Sequence, residues 1–378
     1  MKKVLLSLLS LTILSSVNNL VFANDEHKEE SSHEEKKDDK SKSSEENKSK
    51  HGDKKESGHG DKKEAGHGEK KEGEHGAEPE GHSKPVSVVL MGNDGKTVIS
   101  GSEDKTIRFW DSNKGSADKK VLNTATGFNS GPITAMATSN DGKLIATGSS
   151  DYKVRIWGVA LAKEVKTLQG HFGTIKSLSF APNSKLIVSG SEDGKIKVWN
   201  INTGKTVLNI IGNSKSIQSV AVTPNGKYIV SGGEDGLIKV WDINSGNLVK
   251  TLNGHRYSVQ SLTFNNSNKM ATSSWREIKI WDMNNWSLVR QIDGSEVSGL
   301  AFNPKGEILA SGGGYYHKSV RLWNINNGKL LKEFPATEGA ISTVAFTKDG
   351  NTIISGGDDN KVRFWNIKTG KDKFAEEE

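Results

Sequence analysis

Short runs of alternating apolar and polar residues, separated by turn residues, fill the chain from residue 81 onward. Within residues 170–212, the runs suited to strands are 175–180, 186–189, 195–199 and 206–211. Turn residues fall between them, as in Pro182-Asn183-Ser184, where Pro and Asn favour turn geometry. The pattern therefore predicts four short strands joined by three tight turns.

A tryptophan closes the third predicted strand of this stretch and recurs along the chain. The seven positions are Trp110, Trp157, Trp199, Trp241, Trp281, Trp323 and Trp365. The steps between them are 47, 42, 42, 40, 42 and 42 residues. A period of ~40–45 residues is typical of four-stranded repeats that close into a ring. We therefore predict an all-β chain, a seven-bladed β-propeller of four-stranded antiparallel blades.

Four positions of the repeat resemble the WD-repeat family. Gly-His opens the repeat, Ser or Thr stands on the second strand, Asp in the following turn, and Trp-Asp or Trp-Asn closes the third strand. In that family the His, Ser, Asp and Trp side chains form a hydrogen-bonded chain inside the blade. The resemblance implies such structural networks for His82, Ser100, Asp104 and Trp110, and for His171, Ser189, Asp193 and Trp199. It covers residues 81–378.

The repeats divide residues 81–378 into seven predicted blades. These span about 81–127, 128–169, 170–211, 212–253, 254–293, 294–336 and 337–378. The resemblance implies that a strand from the N-terminus completes the last blade, but residues 76–80 are too polar for this role. Residues 371–375 are the other candidate, although Asp372 and the following glutamates suit a strand poorly. We therefore expect a weak seam between the last blade and the first.

The fifth and sixth repeats depart from the pattern in the turn after the second strand. Trp275-Arg276 replace the turn Asp in the fifth repeat, and Tyr315-Tyr316-His317 replace it in the sixth. Arg256 and Tyr257 lie in the loop entering the fifth blade. The internal network is expected to be absent or altered in both blades. Because Trp, Tyr and Arg dominate binding hot spots, these residues form the candidate partner-binding site. The sequence leaves open the alternative that the aromatics fill gaps left by the missing networks.

The predicted propeller is basic, with 37 Lys or Arg residues against 27 Asp or Glu residues. Lysines in the turns after the first and third strands are Lys96, Lys143, Lys185, Lys227, Lys269, Lys114, Lys205, Lys329 and Lys371. Acidic residues in the turns after the second strand are Glu103, Asp104, Glu192, Asp193, Glu234, Asp235, Asp358 and Asp359. We therefore expect two faces of opposite charge. The basic residue two positions before each Trp is expected on the blade surface.

The first 23 residues have the features of a secretory signal peptide. Met1-Lys2-Lys3 gives a positive start, residues 4–17 an apolar core, and Val21-Phe22-Ala23 a small-residue cleavage site. The apolar core is too short for a comfortable membrane span, and no second apolar segment follows. We expect no transmembrane segment after cleavage. A periplasmic location is the first prediction, and release from the cell is the second.

Residues 24–80 form a low-complexity segment, predicted to be disordered because they offer almost no apolar side chain for a core. They contain 13 Lys, 19 Asp or Glu, and six of the ten His. An eight-residue unit repeats from His51, His59 and His67 and fades after His75. Neutral imidazole is a good ligand for transition metals, so these four histidines are candidates for weak metal binding. A solvating linker is the other interpretation.

The sequence carries no recognisable catalytic motif. Gly95-Lys96-Thr97 and Gly204-Lys205-Thr206 lack the earlier glycine and the helix of a phosphate-binding loop. We predict a monomeric, non-catalytic exported scaffold that binds another protein or a peptide, with no cofactor and no specific nucleic acid. The first alternative is an accessory factor that handles metal for a periplasmic metalloenzyme through the His-rich segment. A propeller enzyme is the least favoured prediction.

Overall fold

The computed structural model describes residues 81–115, 117–123, 131–213, 215–335 and 337–374, with the backbone alone for residues 117–123. The predicted signal peptide and the segment 24–80, which carries His51, His59, His67 and His75, lie outside these residues. Within the described ranges, no helix is long and apolar enough to cross a membrane.

The described chain is a succession of strands. Blade 1 contains β1 (Val86–Met91), β2 (Thr97–Ser102), β3 (Thr106–Asp111) and β4 (Ala117–Asn123). Blade 2 contains β5 (Ile133–Thr138), β6 (Leu144–Ser149), β7 (Val154–Gly158) and β8 (Lys163–Leu168). Blade 3 contains β9 (Ile175–Phe180), β10 (Leu186–Ser191), β11 (Lys195–Asn200) and β12 (Thr206–Ile211).

The later blades follow the same order. Blade 4 contains β13 (Ile217–Val222), β14 (Tyr228–Gly233), β15 (Ile238–Asp242) and β16 (Leu248–Leu252). Blade 5 contains β17 (Ser261–Phe264), β18 (Lys269–Ser273), β19 (Glu277–Asp282) and β20 (Ser287–Asp293). Blade 6 contains β21 (Val297–Phe302), β22 (Ile308–Gly313), β23 (Val320–Asn324) and β24 (Leu330–Glu333). Blade 7 contains β25 (Ile341–Phe346), β26 (Thr352–Gly357) and β27 (Val362–Asn366).

Each strand pairs only with its neighbours in sequence within its own blade, and the pairing is antiparallel throughout. The first six blades are four-stranded sheets, whereas the seventh has three strands. Outside β27, an isolated bridge joins Trp365 to Asp372, and Lys373 N–H donates to Phe364 O at 2.6 Å. The predicted seven-bladed propeller is confirmed, and residues 372–373 start a fourth strand in its last blade.

Apolar side chains fill the seam between blade 7 and blade 1. The cluster contains Val86, Val89, Val98, Trp110, Ile354 and Phe364. Thr343 Oγ1 accepts a hydrogen bond from Val89 N–H at 3.1 Å, and the Phe374 ring packs edge-on against Phe364 with centroids 5.3 Å apart. The seam therefore has an apolar core of its own, although blade 7 lacks a full fourth strand. The expected weakness of the seam stays a prediction.

A glycine on the second strand lets neighbouring blades pack closely in six places. These glycines are Gly101, Gly148, Gly190, Gly232, Gly312 and Gly356. A Cβ atom on Gly190 would lie only 2.5 Å from Ile217 Cγ2 of the next blade. Blade 5 has Ser273 at the equivalent position, buried and without a hydrogen-bond partner for its hydroxyl among the described residues. At the contact between blades 5 and 6, this position therefore carries a side chain, whereas the other six contacts between blades have a glycine there.

Candidate partner-binding face

The loops that carry the candidate residues leave the sheets at the same end. In an antiparallel blade, the turn after the second strand and the loop after the fourth strand lie at one end of the sheet. The loops concerned are 253–260, 274–276, 294–296 and 314–319. We call this end of the propeller the upper face. The structure brings Arg256, Tyr257, residues 275–276 and residues 315–317 together on the upper face of the adjacent blades 5 and 6.

The side chains implied by the family resemblance form a hydrogen-bonded chain inside blade 3. His171 Nδ1 lies 2.9 Å from Asp193 Oδ2, and His171 Nε2 lies 2.7 Å from Ser189 Oγ, which accepts from Trp199 Nε1–H at 2.9 Å. Blade 1 has the same chain in His82, Ser100, Asp104 and Trp110. Burial by itself would raise the pKa of Asp193, but hydrogen bonds from His171 and from backbone N–H groups lower it to about 2. These groups hold each blade together from inside.

Three other blades satisfy the turn Asp with a different donor. In blade 4, Asn213 Nδ2 donates to Asp235 Oδ1 at 2.9 Å. In blade 2, Arg155 Nη2 donates to Asp151 Oδ2 at 2.6 Å, and Arg363 has the same role in blade 7. Arg155 is only 6 % exposed. The expectation that the basic residue two positions before the Trp lies on the blade surface is therefore wrong for this arginine, whose guanidinium pairs with the turn carboxylate. It is also wrong for Arg108 and Lys197, which are 6 % and 8 % exposed.

Blade 5 retains the internal network in altered form. Glu277, the first residue of β19, replaces the turn Asp and lies 3.0 Å from His255 Nδ1, while His255 Nε2 lies 2.8 Å from Thr272 Oγ1. Burial lowers the pKa of His255 to about 4, although Glu277 opposes this shift. In blade 6, the Trp323 indole N–H still donates to Ser311 Oγ at 2.8 Å. Both blades therefore keep an anchored Trp although their turns have lost the Asp.

Two aromatic rings of blade 5 lie beside two exposed guanidinium groups. Tyr257 and Trp275 form a T-shaped pair with ring centroids 5.9 Å apart. Arg256 Cζ lies 5.7 Å from the Tyr257 centroid, and Arg276 Cζ lies 5.9 Å from the Trp275 centroid. Both arginines are exposed, and neither forms an ion pair with a described residue. Their charge is therefore directed to the solvent above the rings.

Blade 6 contributes a second aromatic pair with its own cations. Tyr315 and Tyr316 form a T-shaped pair with centroids 5.4 Å apart. Lys318 Nζ lies 5.3 Å from the Tyr315 centroid, and Arg321 Nη2 lies 2.9 Å from Nδ1 of the exposed His317. We call the side chains of Arg256, Tyr257, Trp275, Arg276, Tyr315, Tyr316, His317 and Lys318 the aromatic–basic patch.

A buried carboxylate, Glu296, joins the two halves of the aromatic–basic patch. Its Oε1 accepts the Trp275 indole N–H at 3.3 Å, and its Oε2 accepts Tyr316 N–H at 2.5 Å. Its backbone bonds to both turns as well, because Glu296 N–H donates to Trp275 O and Gly314 N–H donates to Glu296 O. Glu296 is 8 % exposed and adopts a φ of 53°. Sequence reasoning missed this residue, because a single Glu in a loop has no motif; its only signal is its place between the two broken turns.

The exposure of the rings distinguishes a surface patch from a set of gap-filling side chains. Tyr315 is 60 % exposed, Tyr316 59 % and Tyr257 37 %, and Trp275 is half-buried. Rings that filled gaps inside a blade would be buried like the Trp of the internal network, Trp199, which is 1 % exposed. Contiguous exposed aromatic surface is typical of interaction sites. The geometry therefore favours the surface role that the sequence left open.

The lower face, at the opposite end of the strands, carries the predicted lysines. The exposed ones are Lys96, Lys114, Lys143, Lys185, Lys205, Lys227, Lys329 and Lys371. Lys269 differs from these, because its Nζ pairs with Asp282 at 2.6 Å. A shallow depression of about 460 Å³ beside Lys143 is lined by apolar groups, including Leu161 and Val165. Across the part of the chain that the structure describes, no group of three or more His, Cys, Asp or Glu is placed to hold a metal ion.

Two protein-family models match the chain. Residues 190–371 match the family described as the IFT122 first beta-propeller. Residues 73–111, 119–158 and 162–200 match the WD domain, G-beta repeat. The first match includes both aromatic pairs of the patch, and the second includes the internal networks of blades 1 and 3. A comparison with curated proteins finds no match.

Proposed function

We propose that the chain is a non-catalytic binding platform, because three of its segments match the WD40 repeat and its described residues form a seven-bladed β-propeller, a typical protein-interaction scaffold. Its partner is another exported protein or a peptide, held by the upper face of blades 5 and 6. The propeller acts as a monomer in this proposal. The observation that carries it is the aromatic–basic patch, which stands where the repeat pattern is broken.

The chemistry of the patch supports partner binding. Tyr and Trp combine a large contact area with a polar tip and few rotatable bonds, and Arg adds a planar hydrogen-bonding group. The four rings lie in two T-shaped pairs, and Glu296 ties Trp275 to the backbone of Tyr316. Side chains fixed before binding lose less conformational entropy when a partner arrives. The patch is therefore suited to binding rather than to filling the blades.

The proposed location is the periplasm, with secretion from the cell as the second choice. The support is the sequence of residues 1–23, which has a basic start, an apolar core and a small-residue cleavage site. Fractionation of cells that produce the full chain tests this proposal. The mature protein is expected in the periplasmic fraction with an N-terminus near Asn24, and an uncleaved cytoplasmic protein would contradict it.

The binding proposal is tested by capturing partners from a periplasmic extract with the whole protein. The test variant combines Trp275→Ala, Tyr315→Ala and Tyr316→Ala. The control combines Tyr152→Ala and Phe172→Ala, which remove two other exposed rings, 47 % and 79 % exposed, from the upper face of blades 2 and 3. We expect one abundant partner to be lost with the test variant and retained with the control. Equal capture by all three proteins would refute the patch as the binding site.

The second candidate function is metal handling for a periplasmic metalloenzyme. One observation favours it, the eight-residue spacing of His51, His59, His67 and His75. Calorimetric titration of the full chain with zinc, copper or nickel is the direct test. The control is the variant with these four histidines changed to Asn. If the full chain binds these metals no more tightly than the control, metal handling is ruled out as a function, and the partner-binding proposal is unaffected.

A further inference from the structure

We infer that the aromatic–basic patch binds an acidic, extended peptide segment whose carboxylates contact Arg256 and Arg276 and whose one apolar side chain lies against Tyr315 and Tyr316. This inference rests on the proposed function and specifies the partner's chemistry. Three features of the patch support it: its own charges, the charges around it and the way its rings are held.

The two arginines of blade 5 are available for an anionic ligand. Both guanidinium groups are exposed, stack against aromatic rings and form no ion pair with a described residue. A guanidinium held against a ring keeps its planar fork of N–H donors directed outward, which suits bidentate bonding to a carboxylate. Arg256 and Arg276 accompany rings that touch each other, Tyr257 and Trp275. They therefore suit two nearby carboxylates on one strand of peptide.

Three carboxylates next to the patch are already engaged, whereas Asp293, which lies opposite Glu277 in the ladder, is exposed. Glu296 accepts hydrogen bonds with both oxygens, Glu277 contacts His255 and Lys279, and Glu333 contacts Arg321. These three do not cancel the exposed charge of the two arginines. Lys318 is half-buried, and its Nζ donates to Glu338 O at 2.9 Å. The surface that a ligand meets is therefore cationic as well as aromatic.

The rest of the upper face differs from the patch in charge. The corresponding turns of blades 1, 4 and 7 present the acidic residues Glu103, Glu234 and Asp358, whereas Glu192 of blade 3 is paired with Lys176. An acidic peptide is repelled from these turns and attracted to blades 5 and 6, which confines it to one sector of the ring. A basic peptide has the opposite preference. Charge therefore selects both the partner and the place where it binds.

The second aromatic pair supplies an apolar contact at a fixed distance from the arginines. Tyr315 and Tyr316 remain largely exposed although they pack on each other. Glu296 holds the Tyr316 backbone and the Trp275 indole at the same time, so the two halves of the patch keep their spacing. A peptide with acidic residues on one side of a Phe, Tyr or Leu matches this arrangement. Such a peptide buries the rings without leaving its own carboxylates unpaired.

The test is selection from a random dodecapeptide library on the full chain, with fluorescence anisotropy of the selected peptides. The test variants are Arg256→Gln, Arg276→Gln and their combination. The matched control is Lys215→Gln, which removes the same charge from an exposed position on the upper face of blade 4. We expect sequences rich in Asp and Glu around one aromatic or aliphatic residue. Affinity should fall about tenfold for each arginine removed and stay unchanged in the control.

Each other outcome overturns the inference in a recognisable way. If peptides that depend on Trp275, Tyr315 and Tyr316 are neutral or basic, the acidic partner is wrong while the proposed binding face survives. The acidic partner is also wrong if acidic peptides bind the arginine variants as tightly as the parent, or if changing their Asp and Glu to Asn and Gln has no effect. If no selected peptide depends on the aromatic residues, the inference and the proposed binding face both fail.

Discussion

Asn213 and Arg155 have, in blades 4 and 2, the task that His171 has in blade 3: each donates to the Asp of the turn after the second strand. The buried acceptor must be satisfied, but the geometry admits an amide, a guanidinium or an imidazole as donor. The choice of donor affects how stability depends on pH where the donor can titrate. His255 in blade 5 is such a case, because burial lowers its pKa to about 4.

The first prediction concerns His255→Asn, which gives blade 5 the donor of blade 4. The pKa of His255 is lower in the folded protein than its unfolded value of ~6.5. Its neutral form therefore favours folding above about pH 6.5, and this contribution is lost as pH falls from about 6.5 to about 4. Urea unfolding should show that the parent is less stable at about pH 5 than at about pH 7.5. The variant should lose less, and equal losses would contradict the prediction.

The second prediction concerns Glu296→Gln. The amide keeps the shape of the carboxylate but has one acceptor oxygen, so either the Trp275 indole N–H or the Tyr316 N–H loses its partner. We expect a stability loss of about 1 kcal/mol and faster hydrogen exchange of the Trp275 indole proton or of the Tyr316 amide proton, measured by NMR. The control is Glu338→Gln, which changes an exposed carboxylate on the same face. Unchanged exchange at both the Trp275 indole and the Tyr316 amide would show that Glu296 does not hold the patch.

At the scale of the strands, the spacing between blades depends on which residue faces the neighbouring blade. Six blades have glycine on the second strand, and the next blade packs directly against it. Blade 5 has Ser273 there, and its hydroxyl finds no partner among the described residues. This position therefore accommodates a side chain in blade 5 but is closely packed around a glycine in the other six blades.

The third prediction compares Gly190→Ala with Ser273→Ala. The new methyl at residue 190 would lie 2.5 Å from Ile217 Cγ2 and 2.8 Å from Val220 Cγ1, so blades 3 and 4 must move apart. We expect a loss of about 1–3 kcal/mol, measured by chemical unfolding. Ser273→Ala keeps the existing Cβ and removes an unpartnered buried hydroxyl, so stability should be unchanged or higher. A similar loss in both variants would mean that the two positions are packed alike.

Local patterns predicted the strands well and the contacts between blades poorly. The strands predicted at 175–180 and 206–211 have the bounds of β9 and β12. The strand predicted at 186–189 continues to Ser191 as β10, because Gly190 pairs with Ile196 of β11 and Ser191 pairs with Ile175 of β9. Glu296 escaped detection because its partners, 20 and 21 residues away, belong to turns on two different blades. The burial of Arg155 was not predicted for a similar reason. The alternation of apolar and polar residues does not show which face of an inner strand is covered by a neighbouring blade.

At the scale of the whole propeller, the contact between blade 7 and blade 1 closes the ring. Blade 7 has three strands and a single bridge beyond them, so the packing of Phe374 against Phe364 adds to a sparse outer edge. Phe374 also lies so close to Gly115 of blade 1 that a Cβ there would overlap its ring. One side chain near the C-terminus thus contacts both blades of the seam.

The fourth prediction concerns Phe374→Ala. Loss of this partly buried ring should destabilise the protein by about 1–3 kcal/mol. Hydrogen–deuterium exchange should become faster first in β1 and β27, before other blades change. The control is Phe172→Ala, which removes a ring that is 79 % exposed on blade 3 and should leave stability unaltered. Exchange that rises evenly in all blades would argue against a local role at the seam.

The hydrogen bond between Val89 and Thr343 spans 254 residues of chain. A ribosome adding about 5–20 residues per second needs roughly 13–50 s to make that stretch. Throughout this time the first blade has one flank exposed, with Val86 and Val89 still without the partners that β25 and β26 will supply. Contacts between distant residues also slow folding itself. The propeller therefore has a long interval in which a chaperone, or a second nascent chain, competes with blade 7 for the same apolar surface.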